Sequence, residues 1–238
     1  MKRSWRSYLP SRYMLTSAEC SACGVNESHL AFYHGRHVHS AIVSDLSALS
    51  QAAKKAGFEF YMASAYRGFE RQKAIWNSKF AMRRPVFDIT NREIEMSNLS
   101  DIDKVKAIML FSALPSASRH HLGTDLDVFA KNLVPTGQSL QLEPWEYQQN
   151  GHQHEFSLWL DAHLATFGFY RPYDCYRGGV AAEPWHISHQ LTASKLATLQ
   201  SVDAIDAVLK RSDIKGKDAI LANLSALHQQ FITNVAQP

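Results

Sequence analysis

Apolar residues recur at helical spacing over 40–56, at Ile42, Leu46, Leu49 and Ala53, and Gly57 follows as a stop. The period then drops to two. Phe58, Phe60 and Met62 share one face of a strand over 58–65, which delivers Tyr66 and Arg67 at its end. A helix is predicted over 69–82 with Gln72 in its first turn, before Arg83-Arg84-Pro85 breaks the pattern. Residues 83–99 are mixed. Val105, Ile108, Met109 and Ser112 mark a helix over 101–114. Over 124–130, Leu126 and Val128 alternate with Asp125 and Asp127, which predicts a strand with one apolar and one acidic face.

Residues 131–143 read as a loop or hairpin over that acidic face. Phe156, Trp159, Leu160, His163 and Leu164 give a helix over 153–167, ended by Gly168. A hairpin is predicted over 169–180 with Arg177-Gly178-Gly179 as its turn, feeding a strand that bears Glu183 to His186. After Gln190 only helical patterns remain, over 191–200, 201–212 and 216–234. The result is an α+β fold, a small antiparallel sheet flanked by helices. Residues 1–39 are an irregular polar arm, 40–190 the main domain and 191–238 a helical C-terminal extension.

Composition narrows this little. At 238 residues, 45% apolar and 20% charged, the chain is ordinary globular protein with room for a sizeable core. Its net charge of +3, from 25 basic and 22 acidic residues, is too mild for a nucleic-acid footprint. No run is long and apolar enough for a membrane span. The first ten residues begin basic but lack the apolar core of a signal peptide, so a cytoplasmic protein is expected, or a periplasmic one if the N-terminus is trimmed. Three cysteines make no disulfide framework, and Cys20 and Cys23 are read as free thiols despite His34, His37 and His39 downstream.

The chemistry concentrates in two stretches. One runs from Ser118 through His120, His121 and Gly123 to Asp125 and Asp127. The other is Glu183-Pro184-Trp185-His186. Two imidazoles and a carboxylate, with a fourth position left to water, make the ligand pattern of a catalytic zinc site. A spare Glu beside such a site suits a general base. Gly123 permits the turn that folds His120 back toward the acidic face, whereas His121 points away from it.

These residues resemble the LAS-type zinc peptidases, and within them the VanY-like D-alanyl-D-alanine carboxypeptidases. Ser118, His120, Gly123 and Asp127 match one element of the pattern, and Glu183, Trp185 and His186 match a second. Ser64, Tyr66, Arg67 and Gln72 match a third. The resemblance covers roughly residues 58–189. It implies one zinc per chain on His120, Asp127 and His186, with Glu183 as general base and Arg67 as donor to the scissile carbonyl. It also implies that Ser118 and Gln72 help to hold a peptidoglycan peptide ending in D-alanine. The remaining readings are an endopeptidase or amidase of peptidoglycan crosslinks and a zinc-binding module without turnover. Asp125 stands where most of the family carries a small residue. Projecting beside Asp127, it has three open roles: extra ligand, acceptor that orients a ligand histidine, or acceptor for a substrate ammonium.

Overall fold

The computed structural model describes residues 14–237, and the basic start of the chain (Lys2, Arg3 and Arg6) lies outside them. The elements follow in chain order. First come α1 (Ser17–Ala22), β1 (Leu30–Tyr33), β2 (Arg36–His39), α2 (Val43–Lys55), β3 (Phe60–Ser64), α3 (Phe69–Phe80) and α4 (Asp101–Met109). Then come β4 (Asp125–Ala130), α5 (Pro144–Tyr147), α6 (His154–His163), β5 (Phe169–Tyr170) and β6 (His186–His189). The chain closes with α7 (Gln190–Ala197), α8 (Val202–Leu209), α9 (Lys217–Ala222) and α10 (Leu224–Leu227). Among the described residues no helix is long and apolar enough to cross a membrane.

The main sheet is antiparallel with the order β3-β4-β6-β5. Its apolar face carries Met62, Leu126, Val128 and Ile187 against Leu46, Leu49 and Ala53 of α2 and Phe156 and Leu160 of α6. A second core joins Trp76 of α3 and Val105 and Ile108 of α4 to Ile205, Val208 and Leu209 of α8, Ile220 of α9 and Leu224 of α10. The acidic face of the sheet looks toward this helical half, and the functional cavity lies between the two.

Register decides what that face presents. Asp127 pairs with Ser64 on one side and His186 on the other, so three polar side chains from three strands share one rung. Asp125 pairs with Ser188 on the next rung of the same face.

The α+β class holds, with four corrections. From Thr16 onward the N-terminal arm is ordered: Thr16 and Glu19 form a capping box on α1, and β1 and β2 make a hairpin. His34 and Gly35, both at positive φ, form its turn. The helix over 101–114 ends at Met109, and the chain beyond it turns Leu114 into the core ahead of Pro115. The hairpin over 169–180 does not form; only Phe169 and Tyr170 pair, directly with β6. The segment after them is tied elsewhere: Asn234 donates to the Arg177 carbonyl at 2.8 Å, Gln230 to that of Gly178 at 2.7 Å, and Ala181 N–H to that of Leu110 at 2.9 Å. Glu183 consequently sits in the turn before β6, its carbonyl accepting from His186 N–H at 3.0 Å. Finally, the helices after Gln190 share a core with α3 and α4 and do not hang from the domain as an appendage.

Candidate metal centre

His120 lies in the short 3₁₀ turn Arg119–Leu122, which Gly123 ends at φ 70°. A side chain at Gly123 would meet the His39 backbone nitrogen at 2.8 Å, so the turn needs glycine for both conformation and space. Nδ1 of His120 faces two carbonyls, Ala65 at 2.9 Å and Asp125 at 3.1 Å. Carbonyls only accept, so Nδ1 carries the proton. Nε2 is left as a lone pair, 3.3 Å from Asp127 Oδ2.

His186 is oriented by the opposite nitrogen. Its Nε2–H donates to Asp125 Oδ1 at 3.1 Å, and its Nδ1 lies 3.3 Å from both Asp127 Oδ1 and Glu183 Oε2. Nδ1 of His186 and Oδ1 of Asp127 are buried without a hydrogen-bond partner. One ligand atom each from His120, Asp127 and His186 lies within 4.8 Å of the other two. Tetrahedral zinc ligands at about 2.1 Å stand roughly 3.4 Å apart. The spacing, the N,O,N donor set and the orphaned lone pairs therefore fit one zinc ion.

The charges agree with that fit. Burial alone would raise the pKa of Asp127, but the His120 and His186 imidazoles at its oxygens hold it well below the usual carboxylate range. Burial alone would lower that of His186, yet the Asp125 hydrogen bond and the nearby Asp127 and Glu183 carboxylates lift it well above the usual histidine value. Asp127 and Glu183 thus bring two carboxylates to the Nδ1 side of His186.

Arg67 is held by its neighbours on every side. Its N–H donates to the His120 carbonyl at 3.1 Å, and its guanidinium donates to Gln72 Oε1 at 2.9 Å and Ser64 Oγ at 3.0 Å. The Arg67 carbonyl accepts from His121 Nδ1 at 2.5 Å, while His121 Nε2 accepts from Ser116 N–H at 3.1 Å. Burial lowers the His121 pKa to about 3, so this ring is a neutral brace and no ligand.

Ser118, Arg67, Asp127, Glu183, Trp185 and His186 all line a cavity of about 470 Å³. Gln72 and Asp125, expected to hold substrate, are not among its lining. Gln72 is fully buried behind Arg67, its Oε1 holding the guanidinium and its Nε2 donating to the Ala113 carbonyl at 2.6 Å. Asp125 is fully buried and accepts from Arg119 Nε at 2.6 Å, Thr124 Oγ1 at 2.7 Å and His186. Both oxygens are engaged inside the fold, and neither lines the cavity. Arg119 extends this network to Ser188 Oγ at 2.8 Å and to the Tyr170 hydroxyl at 3.3 Å.

Sequence patterns passed over Arg119, although it adjoins His120, and passed over Tyr173, whose ring meets that of His186 edge-on at 4.9 Å. Tyr173 lies in a segment without period, so no spacing marks it. Cys23, by contrast, is a core thiol pushed up to about 12 by burial, in keeping with the free-thiol reading.

The family model for VanY, D-alanyl-D-alanine carboxypeptidase, matches residues 35–191. The chain belongs to the VanY family. Membership makes it a peptidoglycan peptidase by class, as the three motifs led one to expect. An uncharacterised protein of Haemophilus influenzae is 39% identical over 122 residues, covering 50% of this chain and 92% of that one. A D-alanyl-D-alanine carboxypeptidase of Enterococcus faecalis is 27% identical over 156 residues, covering 64% of this chain and 48% of the relative, so this chain spans about half of that protein. Among solved structures, VanYB in complex with D-alanine-D-alanine is 21% identical with a TM-score of 0.49, over 86% of this chain and 93% of that one. A VanY D,D-pentapeptidase mutant in complex with Zn(II) is also 21% identical, with a TM-score of 0.48, over 89% and 93%.

Proposed function

We propose that this VanY-family chain is a zinc-dependent carboxypeptidase that releases the C-terminal D-alanine of peptidoglycan peptides. The observation that carries the reading is the convergence of His120 Nε2, Asp127 and His186 Nδ1 at one wall of the cavity, with Glu183 Oε2 3.3 Å from His186 Nδ1. A zinc ion there would supply Lewis-acid polarisation and lower the pKa of its water. Glu183 takes the proton of the attacking water as its oxygen bonds to the scissile carbonyl carbon. It then returns that proton to the amine nitrogen as the C–N bond breaks. Arg67, fixed by Gln72 and Ser64, presents its guanidinium to the charge that develops on the carbonyl oxygen. Trp185 walls the cavity, and Ser118 offers a hydroxyl to the peptide.

The test is a muropeptide digest with the zinc-loaded chain, read by mass. Loss of one D-alanine from the stem peptide is expected, abolished by a chelator and restored by zinc. Cleavage only within crosslinks would make the protein an endopeptidase, and no cleavage at all would overturn the reading.

A further inference from the structure

One fully buried carboxylate takes no part in the proposed chemistry: Glu146, in the one-turn helix α5. Its oxygens accept from three donors. Gln141 N–H stands at 3.1 and 3.2 Å from the two oxygens, Glu143 N–H at 3.0 Å and His152 Nε2 at 3.0 Å. The proton positions follow from the other end of this network. Ala130 N–H donates to Gln153 Oε1 at 2.8 Å, and the Ala130 carbonyl accepts from Gln153 Nε2 at 3.0 Å, which fixes the orientation of the amide. Gln153 Nε2 also donates to His152 Nδ1 at 3.0 Å, so His152 carries its proton on Nε2 and donates it to Glu146. A continuous relay therefore runs from Ala130, the last residue of β4, to the backbone of 141–143.

That backbone belongs to the mouth of the cavity. The three donor residues are buried, whereas among the described residues that line the cavity the exposed ones are Arg84, Asn91 and Gln141. Asn91 Nδ2 donates to Glu143 Oε2 at 3.0 Å, which joins two sides of the mouth. Residues 141–143 lie in no strand or helix, and the two hydrophobic cores contain none of residues 141–147. Leu142 nevertheless adopts φ 59°, a conformation that a leucine keeps only where its surroundings impose it. The Glu146 carboxylate imposes it by gripping the N–H groups on either side of Leu142.

We infer that Glu146, set by His152 and Gln153, is a positioning residue for the mouth of the cavity, and that the 141–143 segment it fixes binds the part of the peptide that precedes the scissile bond. This rests on the carboxypeptidase reading, in which a single residue follows that bond and the rest of the stem peptide extends outward. A cavity of about 470 Å³ is of small-ligand size, so a longer peptide passes the mouth.

The experiment measures kcat and KM of the zinc-loaded chain on a long stem peptide ending in D-alanyl-D-alanine and on N-acetyl-D-alanyl-D-alanine. The native chain should favour the long peptide in kcat/KM. Glu146→Ala should raise KM for the long peptide by about tenfold, the scale of one or two hydrogen bonds, with kcat, zinc content and the constants for the short peptide unchanged. Glu146→Gln keeps an acceptor oxygen and should keep most of the native KM. His152→Ala removes one of the three donors; it should shift KM in the same direction, and it serves if Glu146→Ala does not fold. A native chain without length preference, a KM for the long peptide that stays unchanged in both alanine variants, or a loss of kcat shared by both peptides overturns the inference. Failure of the peptidase reading shows separately, as no hydrolysis of either peptide by the zinc-loaded native chain, and it removes this inference with it.

Discussion

Two carboxylates on one face of β4 do different work because of what surrounds them. Asp127 keeps an oxygen free toward the donor cluster, whereas Asp125 has both oxygens engaged and holds the His186 ring by its far nitrogen. Asp125→Ala restores the small residue usual in the family, but here it strands the buried Arg119 guanidinium. Breaking a buried pair on one side costs about 3–5 kcal/mol. Loss of an outer-shell acceptor also weakens metal binding by roughly 10- to 100-fold. Both effects are expected, in thermal unfolding and in chelator competition for zinc. Asp125→Asn, which can keep a hydrogen bond to the ring, should fall between. If Asp125→Ala leaves zinc affinity unchanged, the aspartate does not set the ring. Glu183 makes the complementary case. Glu183→Gln should retain one zinc per chain by metal analysis while losing several orders of magnitude in turnover, because both proton transfers pass through it. Loss of metal instead would make it a ligand.

At the scale of elements, what the sequence showed depended on how local the cause was. The face Ile42, Leu46, Leu49, Ala53 was read correctly because a helix buries a stripe set by its own spacing. The three donor residues were legible because two motifs fix them within short segments. The roles of Gln72 and Asp125 were not, since each is also fixed by distant chain: Gln72 by the Ala113 carbonyl, 41 residues on, and Asp125 by His186, 61 residues on. The failed hairpin over 169–180 has the same cause: its turn residues are held by Gln230 and Asn234, partners no local pattern reveals. The 3₁₀ turn that carries His120 gives the test at this scale. Gly123→Ala would have to adopt φ 70° and would press its Cβ against the His39 backbone nitrogen and a Leu30 methyl at 2.9 Å. Strain and clash together should destabilise the fold by about 1–3 kcal/mol and move His120, so zinc affinity should fall along with melting temperature. A variant as stable as the parent and with equal zinc affinity would show that the turn tolerates a side chain.

The whole molecule is held together from its far end. Gln200, buried between α7 and α8, donates to the Ala22 carbonyl at 2.9 Å and to the Ser118 carbonyl at 3.0 Å, joining the C-terminal helices to α1 and to the residue that opens the metal motif. His228 completes the link by a 2.8 Å bond to the Gln200 carbonyl. The same helices cover Trp76, Val105 and Ile108, which form one wall's backing. A chain ending at 190 would expose that core, although the family match stops at 191 and the metal ligands would all remain. It should therefore lose cooperative unfolding and bind zinc weakly, where a separable extension would leave both intact. Gln200→Ala tests the link without removing the helices. It takes the Gln200 donor from two buried carbonyls: that of Ala22 is left unsatisfied, a loss of about 1–3 kcal/mol, whereas that of Ser118 keeps His121 N–H at 3.0 Å. Because one of them belongs to Ser118, two residues before His120, the variant should also bind zinc more weakly at a temperature where it is fully folded. Unchanged zinc affinity in folded Gln200→Ala, together with a cooperative chain ending at 190, would return the C-terminal helices to the status of an appendage.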